Sequence, residues 1–346
     1  MKNNFLKNKT ILITGGTGSI GSGLVSELTK TDCKVIRILS NDENGLYELS
    51  RKLNLSLLAF DNFSKEMEKN KVRFFLGDIR DIKRCYEVTK NVDIVIHAAA
   101  LKHVSIVEYN PTEGLKTNFI GTKNILKASV NNKVSKFLFI STDKVVSAKN
   151  IMGKTKLMAE KFVINFKKKN KTKISIIRFG NVIGSRGSVV PNFVNLLKNK
   201  KNITVTDRRM TRFIMSLKEA SYSIIKSIKI MKGGEIFILK SMKCFKIIDL
   251  ALTLIRYFHK INKKKNKVLF SKSNTGEKFQ EELYSKNEID YINIKNDLFI
   301  IGKKKVKKSK KDIMLLEKFR VSKFNFLNQT QILKLLIKLK ILINLG

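Results

Sequence analysis

The sequence predicts an α/β fold with a doubly wound parallel sheet and a smaller C-terminal α/β region. In the first half of the chain, short runs of β-branched residues alternate with stretches whose apolar residues repeat with helical spacing. This alternation is typical of repeated β–α–β units, which form a parallel sheet with helices on both faces. After about residue 180 the strands become shorter and loop-like segments become more frequent, and this change predicts the second region.

The individual elements follow from the same patterns. Runs rich in β-branched residues predict strands at 10–14, 34–39, 72–76, 94–97 and 136–140. Helical spacing predicts helices at 19–30, 46–53, 81–90 and 112–131, with an amphipathic insertion at about 55–69. In the second half the patterns predict strands at 203–205 and 235–239 and helices at 217–230 and 247–259.

The C-terminal end of the chain is rich in lysine. The tract 303–311 is predicted to be a solvated loop. Beyond it, Thr330 can cap a helix at about 331–343. Lys334 and Lys338 lie on one side of this helix. We expect the helix to pack on its own domain or on a sister subunit, and a membrane surface is the alternative.

Composition narrows the classes of function. The chain has 346 residues, of which 43% are hydrophobic, so a large core can be buried and general disorder is excluded. Lysine and arginine total 70 against 28 acidic residues, which gives a formal net charge of +42. Such a charge would suit a nucleic acid. Because the lysines are spread along the whole chain among asparagines and isoleucines, we expect compositional bias and no nucleic-acid partner.

Cysteine usage and the start of the chain bear on its location. Cys33, Cys85 and Cys244 lie far apart and form no CxxC pair, which argues against a zinc site or a disulfide framework. The basic first residues are followed closely by Gly15 and Gly16, so neither a signal peptide nor a transmembrane segment is predicted. These observations predict a cytoplasmic protein without a metal site.

The segment from Thr14 to Gly21, T-G-G-T-G-S-I-G, predicts a dinucleotide site. It follows the first strand and opens the first helix. Gly15 allows a tight turn there, Gly18 lets the backbone approach a pyrophosphate, and Gly21 allows the helix to pack closely on the strand. The N–H groups at the helix N-terminus then face the phosphates. A Rossmann-type NAD(P)-binding domain is therefore predicted at 1–180.

The end of the second strand bears on the choice between NAD and NADP. An acidic residue there would hold the ribose hydroxyls of NAD, whereas serine with a basic residue suits the extra phosphate of NADP. Ser40 and Arg37 favour NADP and Asp42 leaves NAD open, so NADP is predicted with NAD as the alternative. Asp78, after the third strand, is expected to accept a hydrogen bond from the adenine amino group. The residues predicted to contact the cofactor are Gly15, Thr17, Gly18, Ser19, Ile20, Gly21, Ser40, Asn41, Asp78, Ile79, Ala98, Ala99 and Ala100.

Further motifs follow the glycine-rich segment along the chain. They are H-A-A-A-L-K-H-V at 97–104, K-T-N at 116–118, S-T-D-K at 141–144, M-G-K-T-K at 152–156, R-F-G-N-V at 178–182, G-S-R-G-S-V-V-P at 184–191, the segment 207–213 ending in T-R-F, and G-E-K with E-E-L within 276–283. With these motifs, from about residue 10 to 285, the chain resembles the extended short-chain dehydrogenases/reductases. Within them it is similar to the UDP-N-acetylglucosamine 4,6-dehydratases of polysaccharide biosynthesis.

The resemblance implies a redox-neutral removal of water from the sugar. Hydride leaves C4, a base takes the C5 proton while an acid expels the C6 hydroxyl as water, and hydride returns to C6, with inversion or retention at C5 left open. By resemblance Asp143 is the acid and Lys144 the base, next to Thr142. We expect burial to raise the pKa of Asp143, and burial together with Lys156 to leave Lys144 partly neutral.

One position departs from the usual pattern of the superfamily. The motif Y-x-x-x-K places a tyrosine four residues before a lysine, and here Met152 takes the place of the tyrosine before Lys156. A subset of the dehydratases is similar to this chain in having methionine there. Because a thioether cannot usefully accept the C4 hydroxyl proton, we expect Lys144, or a water held by Thr142 and Asp143, to accept it. Lys156 is expected to hold the nicotinamide ribose.

The remaining predicted contacts come from the same motifs. By resemblance Lys102 contacts the substrate and His103 positions it, with a role for His103 as base as the alternative. His97 is predicted to be a core residue, and Asn118 is predicted to be a further cofactor contact. The nucleotide diphosphate and the nucleoside are expected to contact Asn181, Arg186, Val190, Arg212 and Glu277.

These assignments divide the chain and define its alternatives. The region 181–300, interleaved with the first domain, is predicted to bind the UDP-sugar, 301–346 holds the basic tract and the last helix, and a homo-oligomer is expected. One alternative is a UDP-sugar 4-epimerase, against which the Asp143–Lys144 pair argues. The other is a catalytically inactive nucleotide- or nucleic-acid-binding protein, which Met152 and the net charge would support.

Overall fold

The computed structural model describes residues 4–54, 70–166, 171–272, 276–319 and 324–342, so the insertion predicted at 55–69 lies outside the described residues. The chain divides into two compact units. The first comprises Met1–Ser141, Ile151–Ile177 and Ser221–Phe237, and the second comprises Thr142–Asn150, Arg178–Ala220 and Ile238–Gly346.

Strands and helices alternate through the first half of the described chain. The strands are β1 (Thr10–Thr14), β2 (Val35–Ser40), β3 (Val72–Leu76), β4 (Ile94–His97), β5 (Lys136–Thr142), β6 (Lys173–Phe179), β7 (Asn181–Val182), β8 (Ile203–Val205), β9 (Thr211–Met215), β10 (Ile236–Leu239), β11 (Lys243–Lys246), β12 (Val268–Phe270), β13 (Ile292–Lys295) and β14 (Leu298–Ile301). The helices are α1 (Ser19–Leu28), α2 (Glu43–Lys52), α3 (Ile82–Thr89), α4 (Val104–Tyr109), α5 (Pro111–Leu115), α6 (Thr122–Asn131), α7 (Ile151–Ile164), α8 (Val189–Lys198), α9 (Leu217–Ile230), α10 (Ile247–Asn262), α11 (Lys310–Lys318) and α12 (Gln329–Lys338).

The first unit is built on a mainly parallel sheet. Its strands lie side by side in the order β10-β6-β5-β4-β1-β2-β3. β1 pairs in parallel with both β2 and β4, and β2–β3 and β4–β5 are also parallel pairs. Ile11, Leu12 and Ile13 of β1 are fully buried, as expected for a strand covered on both faces. The predicted doubly wound α/β fold is confirmed, and the strand order reverses at β1, where open sheets of this kind bind ligands.

The prediction of a single helix at 112–131 is wrong. The structure has α5, then a π-helical segment at Lys116–Gly121, then α6. The side chain of Asn118, inside the π-helical segment, is fully buried. Its amide accepts a hydrogen bond from the N–H of Leu101 (2.8 Å) and donates to the C=O of Leu101 (3.0 Å). A π-turn has an extra residue per turn, and the spacing of apolar residues does not reveal it.

Smaller sheets form the second unit. β11, β9 and β7 make one sheet in that order and β12 and β8 make another, while β13 pairs antiparallel with β14 and belongs to neither of these sheets. A hydrophobic core lies among α8, α10 and α12 and includes Phe193, Leu250 and Leu254. Because short strands bury little apolar surface by themselves, these helices supply much of the core.

The last helix begins earlier than the sequence predicts. α12 begins at Gln329, and the cap is Asn328 rather than Thr330, because the Asn328 side chain accepts a hydrogen bond from the backbone N–H of Gln331. Ile332 and Leu336 are fully buried in the core of the second unit. The helix therefore packs on its own unit.

Two further sequence predictions concern the basic tract and the cysteines. The tract 303–311 is not wholly a loop, because Lys310 begins α11, which Ser309 caps. The three cysteines are free and buried. Within the described ranges, no helix is both long and apolar enough to span a bilayer.

Candidate active site

The glycine-rich loop between β1 and α1 fits a dinucleotide. Gly15 has a φ of +66°, and a Cβ atom there would lie 2.7 Å from the Cα of Ala99. A Cβ at Gly21 would lie 2.4 Å from the carbonyl oxygen of Gly15. Gly18, the residue before α1, has no side chain that could cap the N–H groups of the first turn. The loop thus leaves a close-fitting cradle at a helix N-terminus, the kind of site that binds a pyrophosphate.

The end of β2 supports the loop. Ser40 Oγ lies 2.8 Å from Thr17 Oγ1 and accepts a hydrogen bond from the N–H of Asp42 (3.1 Å). The Asp42 carboxylate caps α2 by accepting from the N–H of Gly45 (2.9 Å). The Asp42 carboxylate is therefore engaged in capping α2, and the hydroxyl group at the end of β2 is that of Ser40.

Arg37 does not have the role that the sequence suggested. Its guanidinium donates to the carbonyl oxygens of Val88 (3.0 Å) and Lys90 (2.7 Å). Burial, with the charge of Arg73, lowers its pKa. Arg37 is thus engaged at the end of α3, and the prediction that it would meet the extra phosphate of NADP is not supported by this geometry.

Asp78 follows β3 and binds a neighbouring arginine. Its carboxylate accepts from the backbone N–H (2.8 Å) and the Nε (2.8 Å) of Arg80, and Asn41 approaches it at 3.4 Å. Burial works against the charged carboxylate, but the bonds from Arg80 outweigh it and lower the pKa of Asp78. Asp78 is therefore an anionic acceptor, and its contact with adenine stays a prediction, like those of Ser19, Ile20 and Ile79.

Buried polar residues fix the loop after β4 through hydrogen bonds. His97 lies between Thr14 (2.6 Å) and Thr122 (2.9 Å). Burial lowers its pKa well below the usual value, so the prediction of a core histidine is confirmed. Asn118 fixes Leu101 as described above. These contacts fix the backbone of the segment that contains Ala98, Ala99 and Ala100, beside the glycine-rich loop.

Lys156 is a buried lysine on α7, one turn after Met152. Met152 is 4% exposed and Lys156 is 5% exposed. The Nζ atom of Lys156 donates to the carbonyl oxygen of Ile140 (2.7 Å) and lies 4.0 Å from the centre of the Phe139 ring. Burial lowers its pKa to about 7, although the charge of Glu160 opposes the shift. Lys156 is therefore close to half neutral at neutral pH.

The second unit contains the predicted Asp143–Lys144 pair, immediately after β5. Asp143 is fully buried. Its Oδ1 atom accepts from Lys144 Nζ (2.9 Å) and from Thr142 Oγ1 (3.0 Å). Its Oδ2 atom has no hydrogen-bond partner in the described part of the chain. One oxygen of the carboxyl group is thus held by the protein, and the other has no partner among the described residues.

Glu281 completes this cluster, and the sequence analysis assigned it no role. It is 4% exposed, and its Oε1 atom lies 3.7 Å from Lys144 Nζ. Its Oε2 atom lies 3.5 Å from Lys278 Nζ. Lys144 also donates to Asn181 Oδ1 (3.1 Å). The E-E-L motif was the signal available in the sequence, but it does not tell which of its two glutamates is buried.

The electrostatics of the pair agree with one expectation and correct another. Burial raises the pKa of Asp143, and the charge of Glu281 adds to this effect, while Lys144 opposes it. Burial alone would lower the pKa of Lys144, but the charges of Asp143 and Glu281 outweigh it and raise that pKa. The raised pKa of Asp143 was predicted. The prediction that Lys144 is partly neutral is wrong, because the carboxylates of Asp143 and Glu281 face its ammonium group.

Arg212 and Glu277 lie together at the edge of the same cluster. Arg212, on β9, donates to the carbonyl oxygens of Lys278 (3.1 Å) and Thr211 (2.8 Å). Its guanidinium lies 3.6 Å from Glu277. The two predicted nucleotide contacts are thus brought together by the structure.

The other predicted substrate residues differ in their exposure. Lys102 and His103 are exposed at the start of α4, and partial burial with the charge of Lys102 lowers the pKa of His103. Arg186 is exposed in the turn before α8. The side chain of Val190 belongs to the hydrophobic core of the second unit, so the structure gives it a packing role.

Comparison with known proteins identifies the family. Residues 11–302 match the family of polysaccharide biosynthesis proteins. The chain belongs to this family. The predicted resemblance to extended short-chain dehydrogenases/reductases of this group is therefore confirmed.

Relatives in and around this family have several names. The chain is 42% identical to an uncharacterised membrane protein of Methanocaldococcus jannaschii, over 92% of this chain and 96% of the relative. It is 40% identical to the capsular polysaccharide biosynthesis protein CapD of Staphylococcus aureus over 82% of this chain, and spans 46% of that protein's length. It is 36% identical to a UDP-glucose 4-epimerase of Rickettsia rickettsii, over 96% of both chains.

Solved structures agree with this membership. Pen from Bacillus thuringiensis has a TM-score of 0.86 and 35% identity, covering 96% of this chain and 98% of Pen. DesIV, a dTDP-glucose 4,6-dehydratase of Streptomyces venezuelae solved with NAD, has a TM-score of 0.66 and 18% identity over 89% of this chain and 95% of DesIV. The likeness to DesIV concerns the fold alone.

Proposed function

We propose that this protein of the polysaccharide biosynthesis family is a nucleotide-sugar 4,6-dehydratase that acts on UDP-N-acetylglucosamine with a nicotinamide cofactor. The observation that supports dehydration is the Asp143–Lys144 pair, in which a fully buried carboxyl group keeps one oxygen unpartnered. Family membership and relatives named for capsular polysaccharide and UDP-sugar chemistry support the substrate class.

The cofactor would be held by the glycine-rich loop, Ser40 and Asp78, with Lys156 at the nicotinamide ribose. When bound, the nicotinamide would accept hydride from C4 of the sugar and return it to C6. Ser40 favours NADP, and NAD is the alternative because Arg37, the predicted partner of the extra phosphate, is engaged within the protein. The two dissociation constants, measured by fluorescence titration, decide between them.

Water elimination needs an acid and a base from one pair of side chains. The raised pKa of Asp143 favours a protonated carboxyl group, and Oδ2, which has no partner among the described residues, is the oxygen that can carry this proton toward a substrate. Asp143 donates that proton from Oδ2 to the C6 hydroxyl, which leaves as water, while Lys144 Nζ passes a proton to Oδ1 along their 2.9 Å hydrogen bond and becomes a neutral amine. The amine takes the C5 proton, and Lys144 or another acid returns a proton to C5 when the hydride reaches C6.

The nucleotide end of the substrate would meet Arg212, Glu277, Asn181 and Arg186, with Lys102 and His103 near the sugar. Guanidinium groups bind diphosphate bidentately. With Met152 in the place of the usual tyrosine, Lys144 or a water on Thr142 and Asp143 would take the C4 hydroxyl proton. If M152Y left turnover unchanged and K144A retained activity, this assignment would be refuted.

A mass-spectrometric assay with UDP-N-acetylglucosamine and NADP tests the proposal. Loss of one water from the substrate is expected, and D143N and K144A are expected to reduce it by at least about a hundredfold. Run in deuterated water, the NMR couplings of the product report its configuration at C5. An unchanged substrate together with tight RNA binding would contradict the enzyme proposal.

UDP-sugar 4-epimerisation is the second candidate, because the Rickettsia rickettsii relative of that name aligns over 96% of both chains. Epimerisation returns hydride to C4 and needs no acid for a leaving hydroxyl. An isobaric product in the same assay would favour it. In that case D143N would cost far less activity than in dehydration.

A further inference from the structure

We propose that Glu281 is a positioning residue of the dehydration centre: its carboxylate holds the ammonium group of Lys144 against Oδ1 of Asp143 and sets how firmly the pair keeps its proton. This inference rests on the proposed function and adds to it a residue to which the family motifs gave no role. It stands on the geometry of one cluster within the second unit.

The first observation is that Glu281 is buried and fixed from two sides. Only 4% of the residue is exposed. One carboxylate oxygen lies 3.7 Å from Lys144 Nζ and the other lies 3.5 Å from Lys278 Nζ. Lys278 itself donates to the backbone carbonyl of Val146. A buried carboxylate between two cations cannot move toward solvent without losing both.

The second observation is the direction in which Lys144 is held. Its Nζ atom meets Asp143 Oδ1, Asn181 Oδ1 and Glu281 Oε1. These three acceptors keep it on the Oδ1 side of Asp143. Oδ2, the oxygen without a partner in the described residues, is therefore left open for the substrate hydroxyl.

The third observation is the charge count of the cluster. Among the described residues, Glu281 and Arg212 act on the pair, while Lys278 contacts Glu281 and Glu277 contacts Arg212. The positive charges of Lys144, Arg212 and Lys278 outweigh burial and lower the pKa of Glu281. Glu281 thus stays ionised while Asp143 takes the proton. Two buried carboxylates near one another do not both ionise easily, and the one with more cation contacts keeps the charge.

The variant E281Q removes this charge with little change of shape. Loss of an anion beside Lys144 and Asp143 lowers the pKa of both groups, so both limbs of the pH profile of kcat should move to lower pH by about one unit. We expect kcat at pH 7.5 to fall while KM for UDP-N-acetylglucosamine stays within about twofold, since Glu281 does not touch the substrate.

The matched control is E282Q, because Glu282 is the neighbouring exposed carboxylate. Loss of its charge should leave both limbs of the pH profile of kcat in place.

A second readout does not depend on turnover. In full-length protein with ¹³C-labelled aspartate, NMR titration follows the Asp143 carboxyl signal, which D143N identifies. Its midpoint should fall by about one unit in E281Q and stay unchanged in E282Q. If the wild type fails to dehydrate the sugar, the proposed function fails, whereas this titration still decides the role of Glu281.

The variant K278M covers the case in which E281Q does not fold. Removing a cation from the cluster should move the Asp143 midpoint and both limbs to higher pH, opposite to E281Q. Shifts of opposite sign in the two variants support the proposal. An Asp143 midpoint that moves in neither variant, or a loss of turnover in E281Q with both limbs in place, would overturn it.

Discussion

Replacing Lys156 with methionine should stabilise the folded protein, and more so at pH 7 than at pH 9. Burial lowers the pKa of Lys156 from 10.5 to about 7. Between these values the unfolded chain binds a proton that the folded chain does not, so the free energy of unfolding rises with pH across this window. Each pKa unit corresponds to about 1.4 kcal/mol. Burial of Lys156 therefore lowers the free energy of unfolding of the wild type by about 5 kcal/mol below pH 7, and this penalty disappears near pH 10.5.

The measurable quantity is the change of this penalty with pH. Between pH 7 and pH 9 it should decrease by about 2 kcal/mol. Removal of the hydrogen bond from Lys156 to Ile140 costs about 1 kcal/mol at either pH and cancels in this comparison. Urea unfolding of the wild type and K156M without ligand, at both pH values, gives the difference directly.

A matched control separates burial from general charge effects. Lys154 is an exposed lysine on the same helix, so K154M should show the same stability difference from the wild type at both pH values. If the advantage of K156M over the wild type is equally large at pH 7 and pH 9, Lys156 is not a lysine with a depressed pKa. The argument that it is half neutral at neutral pH would then be refuted.

Three further predictions concern other parts of the chain. G15A should weaken binding of the nicotinamide cofactor at least about tenfold in a fluorescence titration, since its Cβ would meet Ala99 at 2.7 Å and its φ is +66°; unchanged affinity would contradict the cradle. E288A should lower the free energy of unfolding by about 3 kcal/mol in urea, because it leaves the guanidinium of Arg178 buried without the carboxylate at 2.7 Å; an unchanged denaturation midpoint would contradict a structural ion pair. Cys85, whose pKa burial raises to about 12, should resist iodoacetamide at pH 8 in the native protein and react only on unfolding, and mass spectrometry of the intact chain would detect early labelling.

Local patterns were sufficient for much of the fold. β-branched runs and helical spacing depend on a few neighbouring residues, so the strands at 94–97 and 203–205 and the helix at 217–230 have the predicted bounds. The prediction was wrong at 112–131, where the buried Asn118 side chain lies within a π-helical segment. It was also wrong at Thr330, because two nearby polar residues can each cap a helix and only the packed structure selects Asn328.

The candidate site was predictable where a motif fixes the chemistry. The glycine-rich loop and the Asp143–Lys144 pair were found from residue types and their order in the chain. The protonation of Lys144 was predicted wrongly, because its ammonium group faces Asp143 and also Glu281, which lies far along the sequence. Glu281 and Glu282 are adjacent and chemically identical, and only burial distinguishes them.

The sequence by itself determined the α/β class, the glycine-rich loop after β1 and the neighbouring Asp143 and Lys144, because each depends on local spacing or on a short motif. The tertiary structure decided which oxygen of Asp143 lacks a partner, that Arg37 is engaged at the end of α3, and that Glu281 faces Lys144. These features depend on distance and burial between distant segments. Electrostatic energy in a buried site is set by those two quantities, and neither is encoded in the identity of one residue.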